Sequence, residues 1–232
     1  MSRAPTLPVD EIQDWLGAHP GIHNVTPLSL AIAYRKFYGL DFHVDEHHMG
    51  RVPVHAERIF VQLYRRFASH LGTVFLLHGY LDHSGIQGPT IERLLDLGYD
   101  VVAIDHAGHG FSTGDRANTD TFQLYVDSVS AAEEASDTKG SLVIMGHSLG
   151  GAVAMTHMLQ HPHIFRRAVL IAPLYRPKSW RMLKLLHLLG RHLIKGQPRL
   201  WRQNTRDETF GISSSTSILS RHAIYRSNGS MP

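Results

Sequence analysis

The 232-residue sequence contains no cysteine, which excludes disulfide bonds, thiolate metal ligands and a cysteine nucleophile. It also lacks an apolar run of the roughly 20 residues that a membrane-spanning helix requires. Its first residues show no basic start followed by an apolar stretch, so we predict no secretory signal. The 23 lysines and arginines barely exceed the 20 aspartates and glutamates, whereas a nucleic-acid-binding face needs a clustered basic surface. We therefore expect a cytoplasmic protein without a nucleic-acid partner.

Histidine is abundant, with 18 residues spread along the whole chain. The groups that could suggest a hydrolytic metal site do not have the spacing of a closed zinc ligand set. Loop histidines at the edge of a sheet explain them better, and we predict no metal site. These groups are His47-His48, Asp82-His83 and Asp105-His106 with His109.

Short apolar segments alternate with helical patterns through the middle of the chain. Hydrophobic residues make up 43% and charged residues 19%, which is ordinary for a globular domain, and the length suffices for one α/β domain with a sizeable core. The alternation predicts a parallel sheet with crossover helices. The strands are predicted at 73–77, 101–104, 142–145 and 168–172, and the helices over 86–97, after an Asp120 N-cap, and over 152–160.

The N-terminal part has a different pattern. The first 25 or so residues are rich in Pro, Gly and His and carry little periodicity. Thr26 and Pro27 predict a helix start, with Thr26 as N-cap and Pro27 as the first helical residue. Residues 1–50 are therefore predicted as an N-terminal appendage, and the alternation in residues 58–67 predicts an antiparallel edge strand.

The most informative segment is Gly146-His147-Ser148-Leu149-Gly150, which lies between an apolar strand pattern and a helical pattern. This order predicts a strand, a tight turn and a helix. Such a turn raises Ser148 on a strained elbow, where its hydroxyl can attack a carbonyl and the helix N-terminus favours the oxyanion. Glycines on both sides leave room for the turn. We predict a serine hydrolase with Ser148 as the nucleophile.

A serine nucleophile also needs donors for the oxyanion. In this architecture one donor is the backbone N–H of the residue after the nucleophile, here Leu149. The other comes from a loop after an earlier strand, and His78-Gly79-Tyr80 fits with Tyr80 as the donor. One such donor is worth roughly 3–4 kcal/mol of barrier. His78-Gly79 alone would suggest an ordinary turn, but its place two strands before the elbow favours the functional interpretation.

Three motifs in this order resemble a known family: HGYLDHSG at 78–85, DHAGHGFSTGDR at 105–116 and GHSLGG at 146–151. Together they resemble the α/β-hydrolase superfamily over roughly residues 57–200, and most closely its monoacylglycerol lipase and lysophospholipase-like branch, grouped with S33-type serine aminopeptidases. The resemblance implies an α/β-hydrolase fold, a mostly parallel sheet with crossover helices and a partial helical cap. It further implies hydrolysis of a lipophilic carboxylic ester, of monoacylglycerol or lysophospholipid type, through an acyl-enzyme without a cofactor.

The sequence departs from that family after the nucleophile. The family places its catalytic acid and histidine after further strands, and no such strand is evident here. Asp207 and His222 follow Ser148 in the right order, but their surroundings do not resemble strand ends, so we expect neither to complete a triad. We expect the last strands to be missing or divergent, through truncation or frameshift. A catalytically impaired fragment that acts only in binding therefore remains an alternative, as does an aryl esterase or peptidase on the same scaffold.

The remainder of the chain is predicted in three parts: a hydrolase core at 51–175, a cap-like helical segment at 176–210 and a polar, loosely ordered tail at 211–232. Residues 176–195 are leucine-rich on one side and basic on the other. We favour a cap over the active site with a solvated basic face, and a weak contact with an anionic lipid surface stays open. An apolar roof of this kind favours a lipid-like substrate.

Overall fold

The computed structural model describes residues 5–22, 26–68, 71–138, 140–175 and 182. The chain divides into two units, Met1–Pro173 and Leu174–Pro232, and every element below belongs to the first. The predicted cap at 176–210 lies outside the described residues apart from Met182, and the predicted tail at 211–232 lies outside them entirely.

The first unit is a six-stranded mixed sheet with helices between its strands. The strands are Glu46–Val54 (β1), Glu57–Arg65 (β2), Thr73–Leu77 (β3), Asp100–Ile104 (β4), Leu142–His147 (β5) and Arg167–Ile171 (β6), and the helices are Val9–Ala18 (α1), Leu28–Tyr38 (α2), Gly88–Asp96 (α3), Gln123–Ala135 (α4) and Leu149–Gln160 (α5). A 3₁₀ turn, Ser84–Gln87, precedes α3. The strand order is β1-β2-β4-β3-β5-β6. The β1–β2 and β2–β4 pairs are antiparallel, and the β4–β3, β3–β5 and β5–β6 pairs are parallel.

The core lies where the central strands are covered by helices. Phe75, Val102 and Ile144 come from three adjacent strands and are fully buried in one cluster with Val129 of α4 and Val153 of α5. Each large apolar side chain contributes about 1.5–3 kcal/mol when it leaves water. Strands buried on both faces have continuous apolar sequences, as β3 does. The carboxyl ends of β3, β4 and β5 consequently meet at one edge of the sheet.

The parallel part of the sheet confirms the prediction from periodicity, since β3 to β6 lie within two residues of the predicted strands. The N-terminal predictions were less accurate. Residues before Thr26 do form a helix, α1, which buries Ile12, Trp15 and Leu16. Their i, i+3, i+4 spacing is helical, but the surrounding Pro, Gly and His residues obscured it.

The predicted edge strand at 58–67 is wrong in its position, although a strand is present. β2 lies between β1 and β4, and β1 forms the edge. β1 was not predicted, because His47, His48, Gly50 and Pro53 interrupt its apolar pattern. The boundary at residue 50 between appendage and core falls inside this strand.

Both predicted N-caps are also wrong. Helix α2 begins at Leu28 with Pro27 before it, and the Thr26 hydroxyl accepts the Met49 N–H of β1 at 2.8 Å instead. Helix α4 begins at Gln123, after Phe122. The hydroxyl that accepts the Gln123 N–H, at 3.2 Å, belongs to Thr121 rather than to Asp120. Neither Thr26 nor Asp120 therefore caps the helix that follows it.

Two searches of the described residues bear on other classes of protein. No helix in the described ranges is both long and apolar enough to span a bilayer. No three His, Cys, Asp or Glu side chains within those ranges are grouped as ligands for a metal ion.

Candidate active site

Ser148 occupies the junction between strand β5 and helix α5. Its φ of 53° and ψ of −110° are in a region that residues with a side chain rarely adopt, at a cost of about 1–3 kcal/mol. Two backbone hydrogen bonds hold it there: the Ser148 N–H donates to Ile171 O at 3.0 Å, and its carbonyl accepts the Ala152 N–H at 3.1 Å. Strain of this kind, imposed on a serine at a helix N-terminus, is typical of functional sites.

The glycines on either side of Ser148 are required by close backbone packing. A Cβ on Gly146 would lie 2.3 Å from the carbonyl oxygen of Gly150. A Cβ on Gly150 would lie 2.4 Å from Leu77 O and 2.7 Å from His78 O. The turn therefore packs against itself and against the carboxyl end of β3.

This packing makes Gly150→Ala a sharp test of the turn. We expect it to reduce the free energy of unfolding by about 3 kcal/mol, because the methyl group would overlap backbone atoms that cannot move independently. The measurement is urea denaturation followed by tryptophan fluorescence. Gly17→Ala is the matched control: no atom lies within 4 Å of its Cβ position in α1, so it should raise stability by about 0.5–1 kcal/mol. Equal stability of Gly150→Ala and the wild type would contradict the packing described here.

The loop after β3 lies directly beside Ser148. A Cβ on Gly79 would lie 3.6 Å from the Ser148 Cβ and 2.9 Å from His147 Nδ1. The Gly150 N–H donates to the His78 carbonyl at 3.1 Å, which fixes the loop to the start of α5. The structure thus brings together the segment around Tyr80 and the Ser148–Leu149 turn, although they are far apart in sequence.

The two predicted oxyanion residues differ in their surroundings. Leu149 is the first residue of α5, and its N–H meets no acceptor among the residues that the structure describes. Its side chain is buried. Tyr80 has a half-exposed side chain whose hydroxyl donates to Ala117 O at 3.0 Å. This contact ties the β3 loop to the segment that follows β4.

Buried imidazoles surround the base of this loop. The ring of His78 lies 4.4 Å from that of His106 and 5.2 Å from that of His109, centroid to centroid. Burial, and secondarily the nearby His109, lowers the pKa of His106 to about 3. Burial, followed by His106 and His109, lowers the pKa of His78 well below its usual value. His78 and His106 are therefore neutral at pH 7.

Sequence reasoning overlooked the role of Asp105, which it considered only as a metal ligand and as part of a motif. The side chain is buried, and its carboxylate accepts N–H groups from Ser84 and Phe111. A carboxylate directly after a buried strand was the available signal. Asp207 and His222 lie outside the described residues. Within the described ranges, no imidazole is hydrogen-bonded to the Ser148 hydroxyl.

Comparison with known proteins gives the site its context. The family model described as serine aminopeptidase, S33, matches residues 68–221. Human monoglyceride lipase is 35% identical over 133 residues, which cover 53% of this chain and 44% of that protein. A monoacylglycerol lipase of Mycolicibacterium smegmatis is 31% identical over 105 residues, covering 44% of this chain and 38% of that protein. The matches thus span less than half the length of these curated relatives.

Solved structures show the same architecture. The crystal structure of Paleococcus ferrophilus monoacylglycerol lipase superimposes with a TM-score of 0.50 at 26% identity, covering 71% of this chain and 72% of that one. Est1E from Butyrivibrio proteoclasticus, solved with ferulic acid, gives a TM-score of 0.51 at 16% identity over 72% of this chain and 70% of its own. The second likeness concerns the fold alone.

Proposed function

The chain belongs to the serine aminopeptidase S33 family and is a monoacylglycerol lipase-like α/β-hydrolase, and on this premise we propose that it hydrolyses a lipophilic carboxylic ester with Ser148 as the nucleophile. The observation that carries the proposal is the strained backbone of Ser148, at a φ of 53° between β5 and α5. A serine held in this way presents its hydroxyl at the edge of the sheet, as a nucleophile elbow does.

The proposed reaction has two steps. In the first, Ser148 Oγ bonds to the ester carbonyl carbon, its proton passes to a base, and the carbonyl electron pair moves to the oxygen. The Leu149 and Tyr80 N–H groups stabilise that oxyanion, and its collapse expels the alcohol with a proton. In the second, water attacks the acyl-enzyme and releases the acid and free Ser148. Asp207 and His222, which follow Ser148 in the order of a triad, lie outside the described residues.

The names of the similar proteins favour a lipophilic ester as the substrate. The similar proteins include monoglyceride lipases and a phospholipase of Bacillus subtilis. The family model itself bears the name of an aminopeptidase, so a peptidase or aryl esterase on the same scaffold is the second candidate. Comparing hydrolysis rates of long-chain and short-chain p-nitrophenyl esters separates them, because only a lipase-like site should favour the long chain. The lipid-surface contact that the sequence leaves open falls on 176–195, which lie outside the described residues apart from Met182.

A fluorophosphonate probe tests the nucleophile. Ser148 Oγ should displace fluoride and form an oxygen–phosphorus bond, with its proton passing to the base. We expect near-stoichiometric modification, located on Ser148 by mass spectrometry of the digested protein. A folded protein that remains unmodified would contradict the proposed function. It would instead favour the remaining alternative, an α/β-hydrolase chain that acts only in binding.

A further inference from the structure

The loop that carries Tyr80 is hydrogen-bonded at both of its ends to Asp105 and His106, two consecutive residues that follow the neighbouring strand β4. Strands β3 and β4 are parallel and adjacent, with Leu77 paired to Ile104. The residues immediately after each strand therefore lie side by side. His78 begins the loop after β3, and Asp105 and His106 follow β4.

His106 donates two hydrogen bonds to His78 at the start of the loop, one from its backbone and one from its ring. Its backbone N–H donates to His78 Nε2 at 2.9 Å, and its own Nε2 lies 3.1 Å from the His78 carbonyl oxygen. A carbonyl only accepts, so His106 carries its proton on Nε2. His78 Nδ1 lies 2.7 Å from Gly79 O and carries a proton for the same reason, which leaves Nε2 free to accept. Both tautomers are therefore fixed by the backbone.

Asp105 accepts hydrogen bonds from Ser84 at the other end of the loop. Its Oδ1 accepts both the backbone N–H and the hydroxyl of Ser84, each at 2.7 Å. The Ser84 hydroxyl in turn accepts Gln62 Nε2 at 2.6 Å, so its own hydrogen is directed towards the carboxylate. The second oxygen, Oδ2, accepts the Phe111 N–H at 2.9 Å. Hydrogen bonds to a buried carboxylate are among the stronger ones in proteins.

We propose that Asp105 and His106 are positioning residues that hold the 78–84 loop where its Tyr80 amide can stabilise the oxyanion at Ser148. The proposal rests on the proposed function for its catalytic consequence. The His78 carbonyl that accepts from His106 also accepts the Gly150 N–H of α5. The His78 carbonyl thus connects the end of β4, the 78–84 loop and the turn at Ser148. A displacement of His106 would therefore move both the loop and the turn.

A matched pair of variants, His106→Gln and His106→Asn, tests the proposal. The amide nitrogen of glutamine reaches the position of Nε2 and can donate to His78 O, whereas that of asparagine ends near Nδ1, which has no partner in the described structure. The readouts are hydrogen exchange of the amides of residues 78–84 by mass spectrometry and the rate constant of modification by a fluorophosphonate. Urea denaturation of each variant reports global stability.

In His106→Asn we expect exchange in 78–84 to accelerate about tenfold and the modification rate to fall on the order of tenfold, less than the 10²–10³ lost with a whole donor. His106→Gln should stay within about threefold of the wild type in both. Asp105→Asn should accelerate exchange around Ser84, because an amide group replaces one acceptor with a donor.

Each other result decides against the proposal. The proposal would be overturned if His106→Asn and His106→Gln had equal exchange rates and equal modification rates. It would also be overturned if His106→Asn exchanged faster than the wild type but was modified at the same rate. If His106 had a purely structural role, both variants would be less stable in urea, and their exchange rates in 78–84 would not differ from each other. If the wild type is not modified at all, the proposed function fails. The exchange comparison then decides by itself whether His106 and Asp105 hold the loop.

Discussion

Ser148→Ala should eliminate fluorophosphonate modification and reduce ester turnover to the residual level that the oxyanion donors and substrate binding sustain by themselves. Removing the nucleophile of a serine hydrolase with complete catalytic partners costs on the order of 10⁶ in turnover. The change deletes one oxygen from a residue whose backbone strain arises from the β5–α5 junction, so the alanine variant should fold. Intact-protein mass spectrometry of wild type and variant after incubation with the probe measures the modified fraction.

A second serine with an imidazole neighbour provides the control. Ser130 Oγ lies 3.0 Å from His157 Nε2, between helices α4 and α5. Ser130 is in contact with an imidazole, but it has neither the strained backbone of Ser148 nor the 78–84 loop beside it. Ser130→Ala should therefore leave modification and turnover unchanged. Persistent modification of Ser148→Ala together with its loss in Ser130→Ala would transfer the nucleophile to Ser130 and refute the proposed function.

Local signals explain why the strand, turn and helix around Ser148 could be predicted from sequence. Gly146, Ser148 and Gly150 are close in the chain, and the strand and helix around them have continuous apolar patterns. The requirement for glycine at 146 is equally local, since a Cβ there would meet the Gly150 carbonyl, whereas the requirement at 150 comes from the distant residues Leu77 and His78. Tyr80 could be named because the β3 strand that ends just before its loop is uniformly apolar.

Contacts between distant residues explain what the sequence did not reveal. The position of β2 inside the sheet depends on its pairing with both β1 and β4, and β1 has no clear pattern of its own. Thr26 could not be assigned to the Met49 amide, 23 residues away, from local preference. The Asp105–Ser84 and His106–His78 contacts join residues more than 20 positions apart. Such partners become visible only when parallel strands place their carboxyl ends together.

Unfolding by mild acid is the other large effect that the structure predicts, because burial holds four imidazoles in the neutral form: those of His47, His78, His106 and His157. His78 begins the 78–84 loop and His106 is hydrogen-bonded to it, whereas His47 donates to Gln62 Oε1 at 3.1 Å and stacks on Tyr64. Burial lowers the pKa of His47 to about 3, with a partial offset from its bond to Gln62. The unfolded chain titrates these groups near 6.5.

The sign follows from this difference in pKa. Below about pH 6.5 the unfolded chain binds protons that the folded chain does not, so stability is fully present above that pH and decreases as the pH falls towards the folded-state pKa values. Each imidazole contributes a loss of about 1.4 kcal/mol per pH unit. His47 and His106, whose pKa values in the folded protein are about 3, together reduce stability by roughly 5 kcal/mol between pH 6.5 and 4.5. His78 and His157 add to the loss in the same direction, so the total effect is comparable to the stability of a typical domain.

Urea denaturation at intervals between pH 7.5 and 4.5 measures this loss, and single variants assign it. His47→Gln should remove about a quarter of the slope of unfolding free energy against pH, since glutamine can still donate to Gln62 but does not titrate. His163 is exposed after α5, and His163→Gln serves as the matched control variant. A wild-type stability that is constant over this range would show that His47, His78 and His106 can be protonated inside the folded protein. That result would also remove the argument that the tautomers of His78 and His106 are fixed by the backbone groups around them.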